Sequence, residues 1–306
     1  MKSAGLIYDE SFHYIDHLGP FCAMRGCPLI VCEPTVAELC RAYYPGLEVL
    51  EVGIGDLRSV FPEELISCDN RALLQQALGR WIPEQFRMLW LPHGMSDKGW
   101  KQPFFEALGQ EDGLFVYGER MRDVLRQKGV QVPCVSVGNF RKRYFEQHRM
   151  FYDRVMHEKF GEERFVLYAP TWEDCEHNGT FWDAVGVLPQ NVLVKLHPNT
   201  ERKYAVKLAQ CKARILERFP PVYPVLARTN AYLGDMSSVG YDFLSFERPM
   251  FFLRKHKTDP ETDQSAYLMR CGEQVLVAEL VGLDWSVHQS VAEKRVLYDH
   301  AFNEKL

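Results

Sequence analysis

Short apolar runs recur along this chain, and most stop abruptly at a polar residue, a glycine or a proline. Among them are "RFVLYAP" (164–170), "NVLVKLHP" (191–198), "AYLGD" (231–235) and "PMFFL" (249–253). Runs of this length, apolar on both faces, suit strands covered on both sides, and stretches of helical periodicity lie between them. Earlier in the chain the same alternation gives strands at "AGLIYD" (4–9), "PLIVCE" (28–33), "LEVLEVG" (47–53), "FRMLWLPHG" (86–94), "DGLFVYG" (112–118) and "CVSVGN" (134–139). Helical patterns fall at 12–24, 35–44, 71–82 and 119–129, the last closed by Gly129. Strand and helix alternating almost throughout predict parallel sheets with helices on both faces.

The pattern restarts after residue 145. A helical stretch over 142–160 leads into the second set of strands, a long helix is expected over 201–219, and a last helix over 291–302. The expected organisation is an α/β lobe at 1–145, a second at 146–288, and a terminal segment, 289–306, whose helix packs back on the first lobe. In sheets of this kind ligands sit beyond the carboxyl ends of the strands. Polar groups collect there in both halves: His93-Gly94, Gly138-Asn139, Pro170-Thr171-Trp172, His197-Pro198 and Asp235 to Ser238. That regularity predicts a ligand cleft between two lobes.

Composition narrows the classes. With 306 residues and a net charge of −5, a general nucleic-acid binder is excluded. The basic clusters 141–143, 202–203 and 254–257 read as solvated faces. Nine cysteines stand at 22, 27, 32, 40, 68, 134, 175, 211 and 271, with no C-x-x-C pair, so neither a disulfide framework nor a zinc site is expected. Reduced thiols, acidic residues early in the chain (Asp9, Glu10, Asp16) and no apolar run near 20 residues suggest a cytoplasmic protein.

"AYLGDMSSVGYDFLSFERPMFF" (231–252) crowds Asp235, Ser237 and Ser238 into one strand-to-helix turn. Helix capping accounts for these residues, and so does an anion site. The motifs "LPHGMSDKG" (91–99), "VLYAPTW" (166–172), "VKLHP" (194–198) and "GDMSSVGYDFLSFERPMFF" (234–252), in that order, resemble the CDP-glycerol glycerophosphotransferases, the teichoic-acid primases and polymerases. Met236 stands where that family usually has an aromatic residue, and "VGNFRKR" (137–143) matches its Gly-x-Pro-Arg segment only loosely.

The resemblance implies a GT-B fold, two Rossmann-like lobes with parallel sheets facing a central cleft. It implies a CDP-linked polyol donor and transfer of glycerol phosphate to an acceptor hydroxyl with release of CMP. His93 is then the expected base, Gly94 the turn that admits substrate, and Lys98 a charge for phosphate. His197 is expected to hydrogen-bond the diphosphate or protonate the leaving phosphate, with Pro198 fixing the exit; a structural histidine fits the same place. Thr171 and Trp172 are expected at the donor, although Trp172 also suits packing. Ser237 and Ser238 are expected on the phosphates, Asp235 in support of the turn, and Asp242 on a ribose hydroxyl or a backbone group. Arg141 reaches phosphate or is a surface charge. No Asp-x-Asp stands at a strand end, so neither metal nor other cofactor is expected. The acceptor, a polyol, glycan or lipid-linked molecule, is expected on the first lobe near His13, Tyr14 or His17, and a lipid-linked one would bring peripheral contact with the inner membrane face. A GT-B sugar transferase or epimerase using a UDP-sugar, and a non-catalytic nucleotide-binding protein, are the competing readings.

Overall fold

The computed structural model describes residues 1–101, 103–171, 180–210, 212–254 and 259–305. The chain divides into two compact units. The first comprises Met1–Gly94, Gln102–Tyr152 and His300–Glu304; the second comprises Met95–Lys101, Asp153–Asp299 and Lys305–Leu306.

The first unit holds one parallel sheet built from β1 (Ser3–Ile7), β2 (Leu29–Val31), β3 (Val49–Glu51), β4 (Glu64–Ser67), β5 (Arg87–Trp90), β6 (Gly113–Val116) and β7 (Cys134–Ser136). Its order is β3-β2-β1-β4-β5-β6-β7. Ala4, Leu6, Ile30, Leu65 and Met88 are almost wholly buried on one face, packed with Leu57, Leu74, Leu78 and Ile82. β2 and β6 read as continuous apolar sequence and are buried along their length, as strands covered on both faces are. His300–Glu304 belongs to this unit: Asn303 Oδ1 accepts from the Glu119 N–H at 2.9 Å and so caps the helix Glu119–Gln127.

The second unit repeats the plan with β8 (Phe165–Ala169), β9 (Val192–Val194), β10 (Arg214–Ile215), β11 (Thr229–Gly234), β12 (Met250–Leu253) and β13 (Glu273–Val275). Its order is β10-β9-β8-β11-β12-β13, again with every pair parallel. The alternation of apolar runs therefore resolves as expected, into two parallel-sheet α/β units.

In both sheets the chain winds outward in one direction, then returns to the centre and winds outward in the other. The reversal lies between β1 and β4 in the first unit and between β8 and β11 in the second. Crossover helices leave to opposite faces at such a point, and the crevice between them is where doubly wound sheets bind ligands.

Several segments differ from expectation, the three-residue edge strand β13 among them. β4 was not anticipated: "ELIS" offers only Leu65 and Ile66 as apolar residues before the polar Ser67, yet it sits at the centre of its sheet. The long helix over 201–219 is instead two short helices, Pro198–Lys203 and Ala205–Leu208, followed by the edge strand β10. Pairing of Arg214 and Ile215 with Leu193 and Val194 outweighs the helical propensity of the stretch. The helix over 142–160 is likewise divided, into Phe140–Gln147 and Arg149–Phe160, at His148.

Candidate functional site

The second unit's switch point is built from two strand ends that finish level. Ala169 pairs with Gly234 across β8 and β11, so the residues that follow each strand emerge side by side. Gly234 is needed there, since a Cβ at this position would overlap the Tyr232 hydroxyl. Asp235 is 1% exposed, and its Oδ2 accepts from the Thr171 N–H at 2.9 Å, tying the two loops together. Burial pushes the Asp235 carboxyl above its usual range, while the Thr171 N–H and the charge of Lys98 pull it back. A carboxylate held by a backbone N–H and a nearby ammonium stays ionised at lower cost than an isolated one.

Ser237 is the N-cap of the short helix Ser238–Phe243, its Oγ accepting from the Val239 N–H at 3.4 Å. The Ser237 side chain is buried and that of Ser238 half-buried. Thr171 is buried beside them and half-buried Lys98 is near enough to act on Asp235. This brings Thr171, Asp235, Ser237, Ser238 and Lys98 to one sheet edge.

The segment that carries Lys98 is pinned by its neighbours. Asp97, fully buried, accepts from the Tyr241 hydroxyl at 2.5 Å and from the Leu268 N–H at 2.9 Å. Ser96 donates from its hydroxyl to the Met236 carbonyl at 3.2 Å. Neither Ser96 nor Asp97 was singled out in the sequence; a buried carboxylate inside "SDKG" looks like any turn aspartate until its partners are seen.

His197 follows β9 on the same edge. It caps the helix Pro198–Lys203, with Nδ1 accepting from the Asn199 N–H at 3.3 Å. A neutral ring that accepts at Nδ1 carries its proton on Nε2, which then points a donor elsewhere. Pro198 is the first helical residue, where its missing N–H costs nothing.

Two expected donor contacts are already engaged in the core. Asp242 is 2% exposed and accepts from the Tyr223 hydroxyl at 2.9 Å. Arg141 is buried in the first unit, its guanidinium ion-paired with Asp16, whose other oxygen accepts from the Tyr44 hydroxyl at 2.9 Å. Both have structural work where a ligand contact was expected. Trp172 lies outside the described residues.

In the first unit a second group gathers at the switch point. Tyr14 donates to Asp69 Oδ1 at 2.8 Å. Its ring lies 5.3 Å from that of His93 between centroids, and His13 stands 5.6 Å from His93, edge to face. His93 is exposed, at the end of β5, and Gly94 after it has φ +125°, open to glycine alone without strain. Burial, with Asp9 adding like charge, pushes the Asp69 carboxyl up to about 6 against the opposing hydrogen bond from Tyr14. His17 is set deeper: it is buried against the Tyr117 hydroxyl at 3.0 Å, and burial together with Arg141 holds its ring well below the usual imidazole range.

Asp69 is the residue the sequence reading missed, because the strand it terminates was missed. Among the described residues no group of three or more His, Cys, Asp or Glu is arranged to hold a metal ion, and no helix is long and apolar enough to cross a membrane.

Residues 156–268 match the family model of the CDP-glycerol:poly(glycerophosphate) glycerophosphotransferases. No curated protein matches the chain. Among solved structures, the wall teichoic acid polymerase TagF, in a variant soaked with CDPG, aligns with a TM-score of 0.64 at 14% identity, over 98% of this chain and 83% of its own. The UDP-GlcNAc 2-epimerase of Methanocaldococcus jannaschii, in complex with UDP-GlcNAc and UDP, aligns with a TM-score of 0.58 at 12% identity, over 97% and 98%. That of Neisseria meningitidis, bound to UDP-GlcNAc, gives 0.56 at 12%, over 92% and 90%. At these identities the likeness shows the fold, which is GT-B-like. The resemblance carried by the motifs thus has a counterpart in the family model, which matches residues 156–268 of the 306-residue chain.

Proposed function

We propose that this protein transfers glycerol phosphate from CDP-glycerol, or a closely related CDP-polyol, to an acceptor hydroxyl and releases CMP. The observation that carries the reading is a coincidence of place. The family match spans residues 156–268, which includes both strand ends of the second unit's switch point, with Thr171, Asp235, Ser237 and Ser238 upon them.

In this proposal the diphosphate is held in the second unit. The hydroxyls of Ser237, Ser238 and Thr171 donate to phosphate oxygens, and Lys98 supplies charge. Asp235 keeps the two loops in register and does not face the phosphates, which it would repel. The acceptor oxygen attacks the phosphorus bearing glycerol, and the bond from that phosphorus to the bridging oxygen of CMP breaks. His93 takes the proton of the attacking hydroxyl as general base. His197 donates from Nε2 to the departing phosphate. Charge is carried by side chains and backbone N–H groups, and the proposed reaction uses no metal ion. Arg141 and Asp242 have no part in it, because their buried partners already occupy them.

The acceptor side is assigned to the first unit, where His13, Tyr14 and His93 collect. The seven described cysteines are all free, which suits a reducing compartment and a cytoplasmic reaction. A lipid-linked acceptor would draw the protein to the inner membrane face. The fold likeness to UDP-GlcNAc 2-epimerases supports a second reading, a UDP-sugar enzyme. Calorimetric titration with CDP-glycerol, CDP and UDP-GlcNAc separates them. Binding of CDP-glycerol and CDP, with UDP-GlcNAc much weaker, is expected. Preference for UDP-GlcNAc would favour the second reading, and silence with all three would leave the chain without nucleotide function.

A further inference from the structure

The helix Phe12–Arg25 ends in a turn that sets two cysteines side by side. Gly26 takes φ +64°, its N–H donates to the Ala23 carbonyl at 3.2 Å, and the Cys27 N–H donates to the Cys22 carbonyl at 3.1 Å. A helix closed by this pair of bonds brings the side chains of its outer two positions into contact, and apolar residues frequently stand there. Here both positions hold cysteine. The α-carbons joined by such a turn lie about as far apart as those of a disulfide, roughly 4.4–6.8 Å. The two thiols are free and within hydrogen-bonding reach of one another.

Their surroundings differ. Cys22 is wholly buried, with its Sγ packed so closely over Gly5 of β1 that a Cβ there would stand 2.6 Å away. The hydrogen bond with Cys27, and then burial, hold the Cys22 thiol well above its usual range. Cys27 is half-buried, and the hydrogen bond from Cys22, helped by the Arg25 charge, holds its thiol below the usual range against desolvation. The other half-buried cysteines among the described residues go the opposite way: burial pushes Cys32 up to about 11 and also raises Cys134. Oxidants attack first at a thiolate that solvent reaches, and a second thiol behind it resolves the product.

We infer that Cys22 and Cys27 form a reversible dithiol–disulfide site for hydroperoxides, with Cys27 the attacking sulfur and Cys22 the resolving one. The Cys27 thiolate attacks one oxygen of the hydroperoxide. The O–O bond breaks, the sulfur keeps a hydroxyl as sulfenic acid, and the other oxygen leaves as alcohol or water, carrying the proton that Cys27 gave up. Cys22 then attacks the Cys27 sulfur. An S–S bond forms, and the sulfenic hydroxyl departs as water with the Cys22 proton. The two thiols lose two electrons together and the hydroperoxide gains them; an external dithiol reverses the change. The new bond ties the end of the helix to the entry of β2, which starts at Leu29. Neither sulfur belongs to the site described above, so the inference stands apart from the transferase reading.

The test treats the full chain with about one equivalent of hydrogen peroxide, alkylates the remaining thiols and digests with trypsin, which cuts between Arg25 and Gly26. The expected product is peptide 3–25 joined to peptide 26–41, with fragmentation placing the bond at Cys27 and not at Cys32 or Cys40. Dithiothreitol should abolish it. Cys27 should be oxidised at least about tenfold faster than Cys134. Cys22→Ser should stop at a Cys27 sulfenic acid that dimedone traps, and Cys27→Ser should leave Cys22 as a thiol. Circular dichroism shows whether the variants fold, and the wild-type peptide map decides the question if either does not. Oxidation of Cys32 or Cys134 ahead of Cys27, a lasting sulfenic acid in wild type without the cross-link, or a cross-link that forms only in urea would each overturn the inference.

Discussion

Asp97 offers a quantitative test of how the second unit holds Lys98. Its carboxylate is fully buried and accepts from the Tyr241 hydroxyl at 2.5 Å and the Leu268 N–H at 2.9 Å. Hydrogen bonds to a charged group contribute roughly 1.5–3 kcal/mol each, with no solvent screening at a site like this. Asp97→Asn preserves shape but offers one oxygen to two donors, so its amide N–H₂ must face one of them. The expected loss is about 2–4 kcal/mol. Tyr241→Phe removes one donor and leaves a carboxylate oxygen underused, at about 1.5–3 kcal/mol. Combined, the two should couple by about 1–3 kcal/mol. Two units need not unfold together, so a global melting curve is the wrong assay. Native-state hydrogen exchange resolves the region: a peptide covering 264–271 reports the Leu268 N–H directly. Protection in that peptide should drop in either single variant, and the double variant should be little worse than the weaker single. Additive losses, or unchanged exchange at Leu268, would refute the claim that Asp97 pins this segment.

Further outcomes follow from the same geometry. His93→Ala should abolish turnover while nearly preserving CDP-glycerol affinity, whereas the pair Ser237→Ala and Ser238→Ala should raise the donor KM by about tenfold or more and change kcat less; the reverse pattern in steady-state kinetics would exchange the two roles. Asp69, at about 6, has a folded pKa above its unfolded value, so the folded state holds a proton that the unfolded chain releases near pH 4. Stability should therefore fall as pH rises from about 4 to about 6 and level off above, by at most about 3 kcal/mol and less where solvent reaches the carboxyl. Asp69→Asn should flatten that interval in denaturant unfolding followed at each pH, and an unchanged slope would contradict the assignment. EDTA should leave the transfer rate unchanged, and restoration of a lost rate by a divalent cation would contradict metal-free phosphate binding.

How far the sequence could be read depended on strand length and on burial. β8, β11 and β12 announce themselves through four or five consecutive residues without a polar side chain or with tyrosine alone, and their polar exits, Thr171 and Asp235 to Ser238, are legible with them. β4, with two apolar residues in four, did not, and Asp69 was lost with it. β10 and β13 are an edge pair and a three-residue edge strand, whose identity comes from the partner strand rather than from local pattern. Arg141 and Asp242 were picked as charged groups in suggestive places; only tertiary structure reveals Asp16 and Tyr223 beside them. Asp97 failed in the opposite direction, since its partners Tyr241 and Leu268 lie more than 140 residues away along the chain.

The most direct test is a donor screen with product identification. Purified protein is incubated with CDP-glycerol or UDP-GlcNAc and a panel of hydroxyl-bearing acceptors, and nucleotide products are separated and quantified. The account predicts CMP from CDP-glycerol, with glycerol phosphate appearing on the acceptor and both lost in His93→Ala. Release of UDP from UDP-GlcNAc, or its epimerisation, with CDP-glycerol left intact, would contradict it.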